Sequence, residues 1–221
     1  VYWVVGSPRT RSAVKMLIFN AAVGVFDERH RSRGGCKADG VVFGCLTAEG
    51  DVDIDAMKKL MNAVGDMNVT FHRAFDMCKD PKKALEQIIE LGCTRILTSG
   101  QEANAVKGIP LLKELVEQAD GRIIIMPGCG VNPNNIRQIA EETGASEFHF
   151  SGRSSYESEM IFRNPKVSMG GTVKIEEYQR DITNPEIVKA ALAELAAKDE
   201  KDAELEKKEK ELAEFTKQCR D

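Results

Sequence analysis

The chain has 221 residues, enough for one domain with a real core, and its 42% hydrophobic and 30% charged content reads as soluble and globular. A formal net charge of −4 argues against nucleic acid or an anionic membrane surface as the partner. Six cysteines (Cys36, Cys45, Cys78, Cys93, Cys129, Cys219) show no CxxC and no short ligand spacing, which argues against a zinc site or a disulfide framework.

The first residue is Val1, and the opening stretch differs in pattern from the rest of the chain. Val1–Val5 and Leu17–Phe26 are apolar enough for strands but are not followed by capped helices. Met16–Phe26 (MLIFNAAVGVF) comes after Arg9, Arg11 and Lys15, an order that mimics a signal-peptide core; a buried strand or an aberrant end is the plainer reading. The run is shorter than the ~20 apolar residues that a spanning helix needs. A cytoplasmic location without membrane contact is expected.

From Asp39 a repeat sets in. Five short runs rich in β-branched and aromatic residues recur: Gly40–Leu46 (GVVFGCL), Val69–Phe75 (VTFHRAF), Arg95–Ser99 (RILTS), Arg122–Pro127 (RIIIMP) and Glu147–Ser151 (EFHFS). Between them the apolar positions take helical spacing: Ile54, Met57, Leu60 and Met61; Ala84, Leu85, Ile88 and Ile89; Leu111, Leu112, Leu115 and Val116; Ile136 and Ile139. Asp80-Pro81 and Asn132-Pro133 have the form of an N-cap with proline at the first helical position. Gly65, Gly92, Gly121 and Gly144 stand where helices should stop.

Strict alternation of strand and helix predicts a parallel sheet covered by helices. Doubly wound and barrel sheets both satisfy that; polar groups on the strands and a glycine-rich turn after a late strand favour a TIM (β/α)8-type barrel. A closed barrel takes about 250 residues, and five units fall short of eight. The expectation is therefore an incomplete barrel, organised as a partial or aberrant segment over 1–34, a barrel domain over 35–183 and a long, charged C-terminal helix over 184–221. In that last segment Leu192, Leu195, Leu205 and Leu212 form a broken apolar stripe amid Glu and Lys, as in a helix that docks at its start and then runs into solvent.

The alternation Val69/Phe71 against Thr70/His72, and Phe148/Phe150 against Glu147/His149/Ser151, sends His72 and His149 toward the barrel interior near the strand ends. Active sites of such barrels are built there, although a strand histidine can equally be structural. Arg73 and Asp76 read either as a structural pair or as a guanidinium fork for an anion beside its carboxylate. Ser99 and Gly100 at the next strand end, and Ser151 and Arg153 at the last, offer hydroxyls, an open backbone N–H and a second guanidinium. Gly128-Cys129-Gly130 before Asn132-Pro133 reads as a tight turn, or as a phosphate cradle at a helix N-terminus. Cys129 is the most exposed candidate thiol, Cys78 could reach the rim, and Cys45 and Cys93 read as core.

These strings resemble the CutC copper homeostasis family: DGVVFGCL (Asp39–Leu46), VTFHRAFDMC (Val69–Cys78), RILTSGQ (Arg95–Gln101), MPGCGV (Met126–Val131), EFHFSGR (Glu147–Arg153) and FRN (Phe162–Asn164), over about Gly35 to Tyr178. The resemblance implies a cytoplasmic TIM barrel linked to copper handling, with Gly40–Leu46 as its fourth strand and Glu147–Ser151 as its eighth. It carries over His72, Arg73, Asp76, Ser99, Gly100, Gly128, Gly130, His149, Ser151 and Arg153. Gly152 stands where alanine is more usual. The family's early Arg-Ile-Glu-Leu-Cys type motif, source of its suspected Cu(I) thiols, has no counterpart here, which leaves Cys45, Cys78 and Cys129 as metal candidates. Arg31-Ser32-Arg33-Gly34-Gly35 is only faintly similar to the family's Arg-Pro-Arg-Gly-Gly segment. The functions expected are cytoplasmic Cu(I) binding or handling, or else a barrel enzyme for a small anionic or phosphorylated metabolite, or an inactive truncated form; self-association into a homo-oligomer stays open.

Overall fold

The computed structural model describes residues 4–6, 16–18, 40–164, 166–167 and 177–218. The Arg31–Gly35 segment, Cys36, Cys219 and all of Met16–Phe26 beyond Ile18 lie outside the described residues. Two three-residue strands come first, β1 (Val4–Gly6) and β2 (Met16–Ile18). Then strand and helix alternate: β3 (Gly40–Phe43), α1 (Ile54–Val64), β4 (Asn68–Phe71), α2 (Pro81–Glu90), β5 (Arg95–Thr98), α3 (Ile109–Ala119), β6 (Ile124–Pro127), α4 (Ile136–Thr143) and β7 (Glu147–His149).

Strands β2 to β6 form a parallel sheet in chain order. Strand β7 joins β6 through a parallel bridge between Gly128 and His149, and also pairs antiparallel with β1. This is the parallel α/β arrangement that the alternation predicts. The helices bury the faces their periodicity assigns, with Met57 and Leu60 from α1, Leu85 and Ile88 from α2, Leu112 and Leu115 from α3, and Ile136 and Ile139 from α4 all inside the core. Asp80 caps α2 by accepting the Lys83 N–H at 3.0 Å, with Pro81 in the first turn. Gly65 and Gly144 end α1 and α4 at φ of 63° and 74°, a region that glycine enters without steric cost.

Two local expectations are corrected. VTFHRAF is not strand throughout: pairing stops at Phe71, and Arg73–Met77 forms a 3₁₀ turn. The cause is His72, whose Nδ1 accepts the Ala74 N–H at 3.2 Å and so turns the chain out of the ladder. Nor does Asn132-Pro133 open a helix. Asn132 Oδ1 accepts from Asn134 N at 2.9 Å, Asn135 Oδ1 accepts from Asn132 N at 2.9 Å, and α4 begins only at Ile136.

At the N-terminal end of the sheet Arg95 and Glu147, first residues of β5 and β7, meet across β6. Arg95 Nε reaches Glu147 Oε2 at 2.5 Å and Nη2 reaches Oε1 at 3.1 Å, with side chains only 14% and 6% exposed. The two-pronged geometry satisfies both carboxylate oxygens away from water.

After β7 the chain forms an antiparallel hairpin, β8 (Arg153–Glu157) with β9 (Gln179–Thr183), and then the 34-residue α5 (Pro185–Gln218). Ala191 and Leu195 of α5 are buried in the core, while Leu192 between them is 40% exposed. Among the described side chains, this helix docks through a narrow stripe near its start.

Glu147→Ala strands the Arg95 guanidinium in the sheet, and we expect a loss of about 3–5 kcal/mol in unfolding free energy by urea titration. The double variant Arg95→Met/Glu147→Leu should recover most of that loss.

Candidate functional site

The C-terminal ends of β4 to β7 carry the polar side chains, and Asp76 of the 3₁₀ turn organises them. Its side chain is 7% exposed. Its carboxylate accepts from Thr98 Oγ1 at 2.5 Å, from the Ser99 N–H at 3.0 Å, from the Gln101 N–H at 3.3 Å and from Arg73 Nε at 2.6 Å. Arg73 Nη2 donates in turn to Ser99 Oγ at 3.0 Å, and Ser99 Oγ lies 2.6 Å from the Glu102 carbonyl, its nearest acceptor. Burial works against the Arg73 charge, but the bonds to Asp76, with support from the Cys129 thiol nearby, outweigh it and raise the guanidinium pKa.

Arg73 opens onto a cavity of about 720 Å³ whose lining also includes Cys129, Gly130, His149, Ser151 and Arg153. Asn132, Asn134 and Ile187 of α5 contribute to the same wall. The structure therefore brings six of the sequence-predicted residues together. His72, Asp76, Ser99, Gly100 and Gly128 stand behind the wall. His72 is committed to capping the turn through Nδ1, and at Gly128 a Cβ would lie 2.5 Å from Leu97 Cδ1, so a side chain there would require Leu97 to shift. The N–H groups of Gly128, Asn132 and Asn134 donate to Thr98 O, Asn135 Oδ1 and Asn132 Oδ1, and α4 begins only at Ile136, so the turn does not run directly into a helix N-terminus.

Burial, and then the Arg73 charge, lower the His149 pKa below its ordinary 6.5. Burial also lowers that of His72. Both imidazoles are neutral at pH 7. Arg153 is 65% exposed and reaches Asp181 of β9 at 3.2 Å.

Among the described residues no three His, Cys, Asp or Glu side chains converge so as to hold a metal ion. Cys78 is buried, not at the rim, with a pKa raised by burial to about 11. Cys45 is half-buried, with its pKa raised by burial and by Asp53, and Cys93 is pushed up to about 12. Of the described cysteines Cys129 alone lines the cavity, at a φ of 73° that is uncommon outside glycine, with Sγ 3.3 Å from the Ala103 carbonyl.

Residues 21–154 match the family model described as "CutC family". The chain belongs to the CutC family. Its members include a CutC protein of Bacteroides thetaiotaomicron, 64% identical over 151 residues, or 68% of this chain and 61% of the relative. The human copper homeostasis protein cutC homolog is 48% identical over 147 residues, covering 66% of this chain and 54% of the relative. A crystal structure of CutC from Streptococcus agalactiae superposes with a TM-score of 0.54 at 34% identity, covering 58% of this chain and 64% of that one. The chain thus spans about three-fifths of the length of these CutC relatives.

Sequence reasoning missed two features of this CutC site. The Arg95–Glu147 fork beneath it was signalled only by opposite charges opening two otherwise apolar strands. Ile187 was read as part of a tail and instead closes the cavity wall.

Asp76→Asn keeps the shape but removes the charge that Arg73 and three other donors share. At about 1.5–3 kcal/mol per charged hydrogen bond, we expect a clear drop in melting temperature by differential scanning fluorimetry, with Asp76→Ala lower still. Stability should also fall with pH below about 6.5, because the unfolded chain then takes up protons that folded His72 and His149 refuse. Thermal melts from pH 7.5 to 5.5 should show that decline, and His149→Gln should flatten it.

Proposed function

We propose that this chain acts in copper homeostasis, as a cytoplasmic protein whose residues 35–183 are part of a (β/α)8-type barrel and whose residues 184–221 are a helical extension. The observation that supports this role is the 48% identity to a human relative named for copper homeostasis. Among the described residues no helix is long and apolar enough to cross a membrane.

Copper here is cargo, and the donors present do not fit a ready-made Cu(I) cage. Cu(I) favours thiolates, whereas Cys78 and Cys45 are held as neutral thiols and Cys129 stands apart with the cavity. Copper contact through Cys129 is the reading these residues favour. Anaerobic Cu(I) titration against a competing chelator tests it. Stoichiometric binding that disappears in Cys129→Ser is the expected result; binding no tighter than that of a cysteine-free variant overturns it.

The cavity favours a second, compatible reading, that of an enzyme for a small anionic metabolite. Arg73 and Arg153 present two cations, and Gly130 and Ser151 add polar contacts. Neutral His149 beside Arg73 has the protonation state of a general base at pH 7. His72 and Asp76 position this set from behind. Inorganic phosphate and a panel of small phosphorylated and carboxylated metabolites should raise the melting temperature, and Arg153→Gln should reduce the rise. A panel without any shift would remove this reading and leave the first intact.

A further inference from the structure

The cavity is charged in one sense only. Arg73 and Arg153 line it, and among the described residues no aspartate or glutamate does. Asp76 and Asp181 hold these guanidiniums from outside the lining. The Arg153–Asp181 contact is solvent-exposed, of the kind that contributes little and exchanges readily. His149 is neutral there, so nothing on the described wall offsets the two positive charges.

The same wall carries a nucleophile. Cys129 is half-buried and sits close enough to Arg73 for its sulfur to support the guanidinium charge. Cys129 and Gly130 both take positive φ, 73° and 76°. Glycine enters that region freely and cysteine does not, so the turn holds a sulfur where glycine would be relaxed. Cys78 and Cys93 are buried, and Cys45 lies outside the lining. Among the described residues no second thiol therefore lines the cavity to attack a disulfide formed at Cys129.

We propose that Cys129 is a thiol–disulfide exchange site for small anionic disulfides, molecules whose carboxylates lie near the sulfur–sulfur bond. The inference rests on the cationic wall of the enzyme reading but needs no turnover. The Cys129 thiol first gives its proton to solvent. Its Sγ then attacks one sulfur of the disulfide; the new Sγ–S bond forms as the old S–S bond breaks. The departing sulfur leaves with the electron pair as a thiolate and takes a proton from solvent. Cys129 is oxidised and the departing sulfur reduced by the same electrons, so no further oxidant enters.

In the transition state negative charge spreads over the three sulfurs and stays fixed on the carboxylates, and both meet the two guanidiniums. Neutral disulfides react at Cys129 without that help, and cationic ones against it. A volume of about 720 Å³ lies within the ~300–1,000 Å³ of clefts that bury small ligands, so the retained half stays in the cavity.

Intact-mass and peptide-mapping kinetics test this on the whole chain, in a Cys36→Ser/Cys219→Ser background that removes the thiols outside the described residues. Glutathione disulfide is the anionic probe and cystamine the cationic one, each rate divided by that of the same disulfide with mercaptoethanol. One glutathionyl group on Cys129 is expected. The normalised preference for glutathione disulfide over cystamine should be about tenfold or more and should shrink with added salt. Arg153→Gln should reduce the preference and Arg153→Lys retain it. Cys129→Gly, which suits the φ of the turn, should lose the adduct while keeping the melting temperature. No adduct, an adduct mapped elsewhere, or equal normalised rates overturns the inference. The metabolite melts separate it from the enzyme reading: melts that shift without an adduct remove this inference alone, and a charge-selective adduct without any shift upholds it.

Discussion

The site end of this fold depends on one carboxylate. Asp76 is almost fully removed from water, which is tolerable only because its lone pairs are filled by backbone, hydroxyl and guanidinium donors from two successive strand ends. That saturation has two consequences. The loop after β5 is fixed against the turn after β4, and the Arg73 guanidinium is held at the cavity wall. Asp76, a catalytic candidate in the sequence, is the anchor of a residue that faces the cavity. Among the described residues no buried side-chain nitrogen or oxygen lacks a partner, so the network closes on itself.

The opposite end of the sheet is organised by the Arg95–Glu147 fork. Charges are buried at both ends, but to different effect. The fork joins strands separated by a third and is sealed in. The Asp76 network leaves Arg73 44% exposed at the cavity mouth. The sealed pair thus sits at the strand starts and the open cavity at the strand ends. His149 links the two ends, since the strand that begins with Glu147 places its imidazole beside Arg73, where burial and the neighbouring positive charge keep it neutral.

Much of the fold could be read from the residues. Periodicity located each helix between the strands, and Asp80-Pro81, Gly65 and Gly144 marked ends that the chain uses. What stayed hidden was competition between local acceptors. Asn132, Asn134 and Asn135 can each close a short turn, and nothing in their order says that Asn135 wins and delays the helix. Likewise the apolar pattern carries on through His72-Arg73-Ala74-Phe75, while one ring nitrogen bonding two residues ahead breaks the ladder. In the site, the string around His72 and Arg73 treats neighbours as equals. Only the three-dimensional path shows Arg73 facing the cavity and His72 behind it. The thiols are unequal for a related reason: composition counts sulfur atoms, while burial decides whether any of them can shed a proton.

Arg153 belongs to two structures at once: it lines the cavity, and from β8 it pairs with Asp181 of β9. A single cation placed so makes the hairpin and the cavity thermodynamic partners. By reciprocity, any factor by which an occupant of the cavity changed the pairing of the two strands would be the factor by which that pairing changed the occupant's affinity.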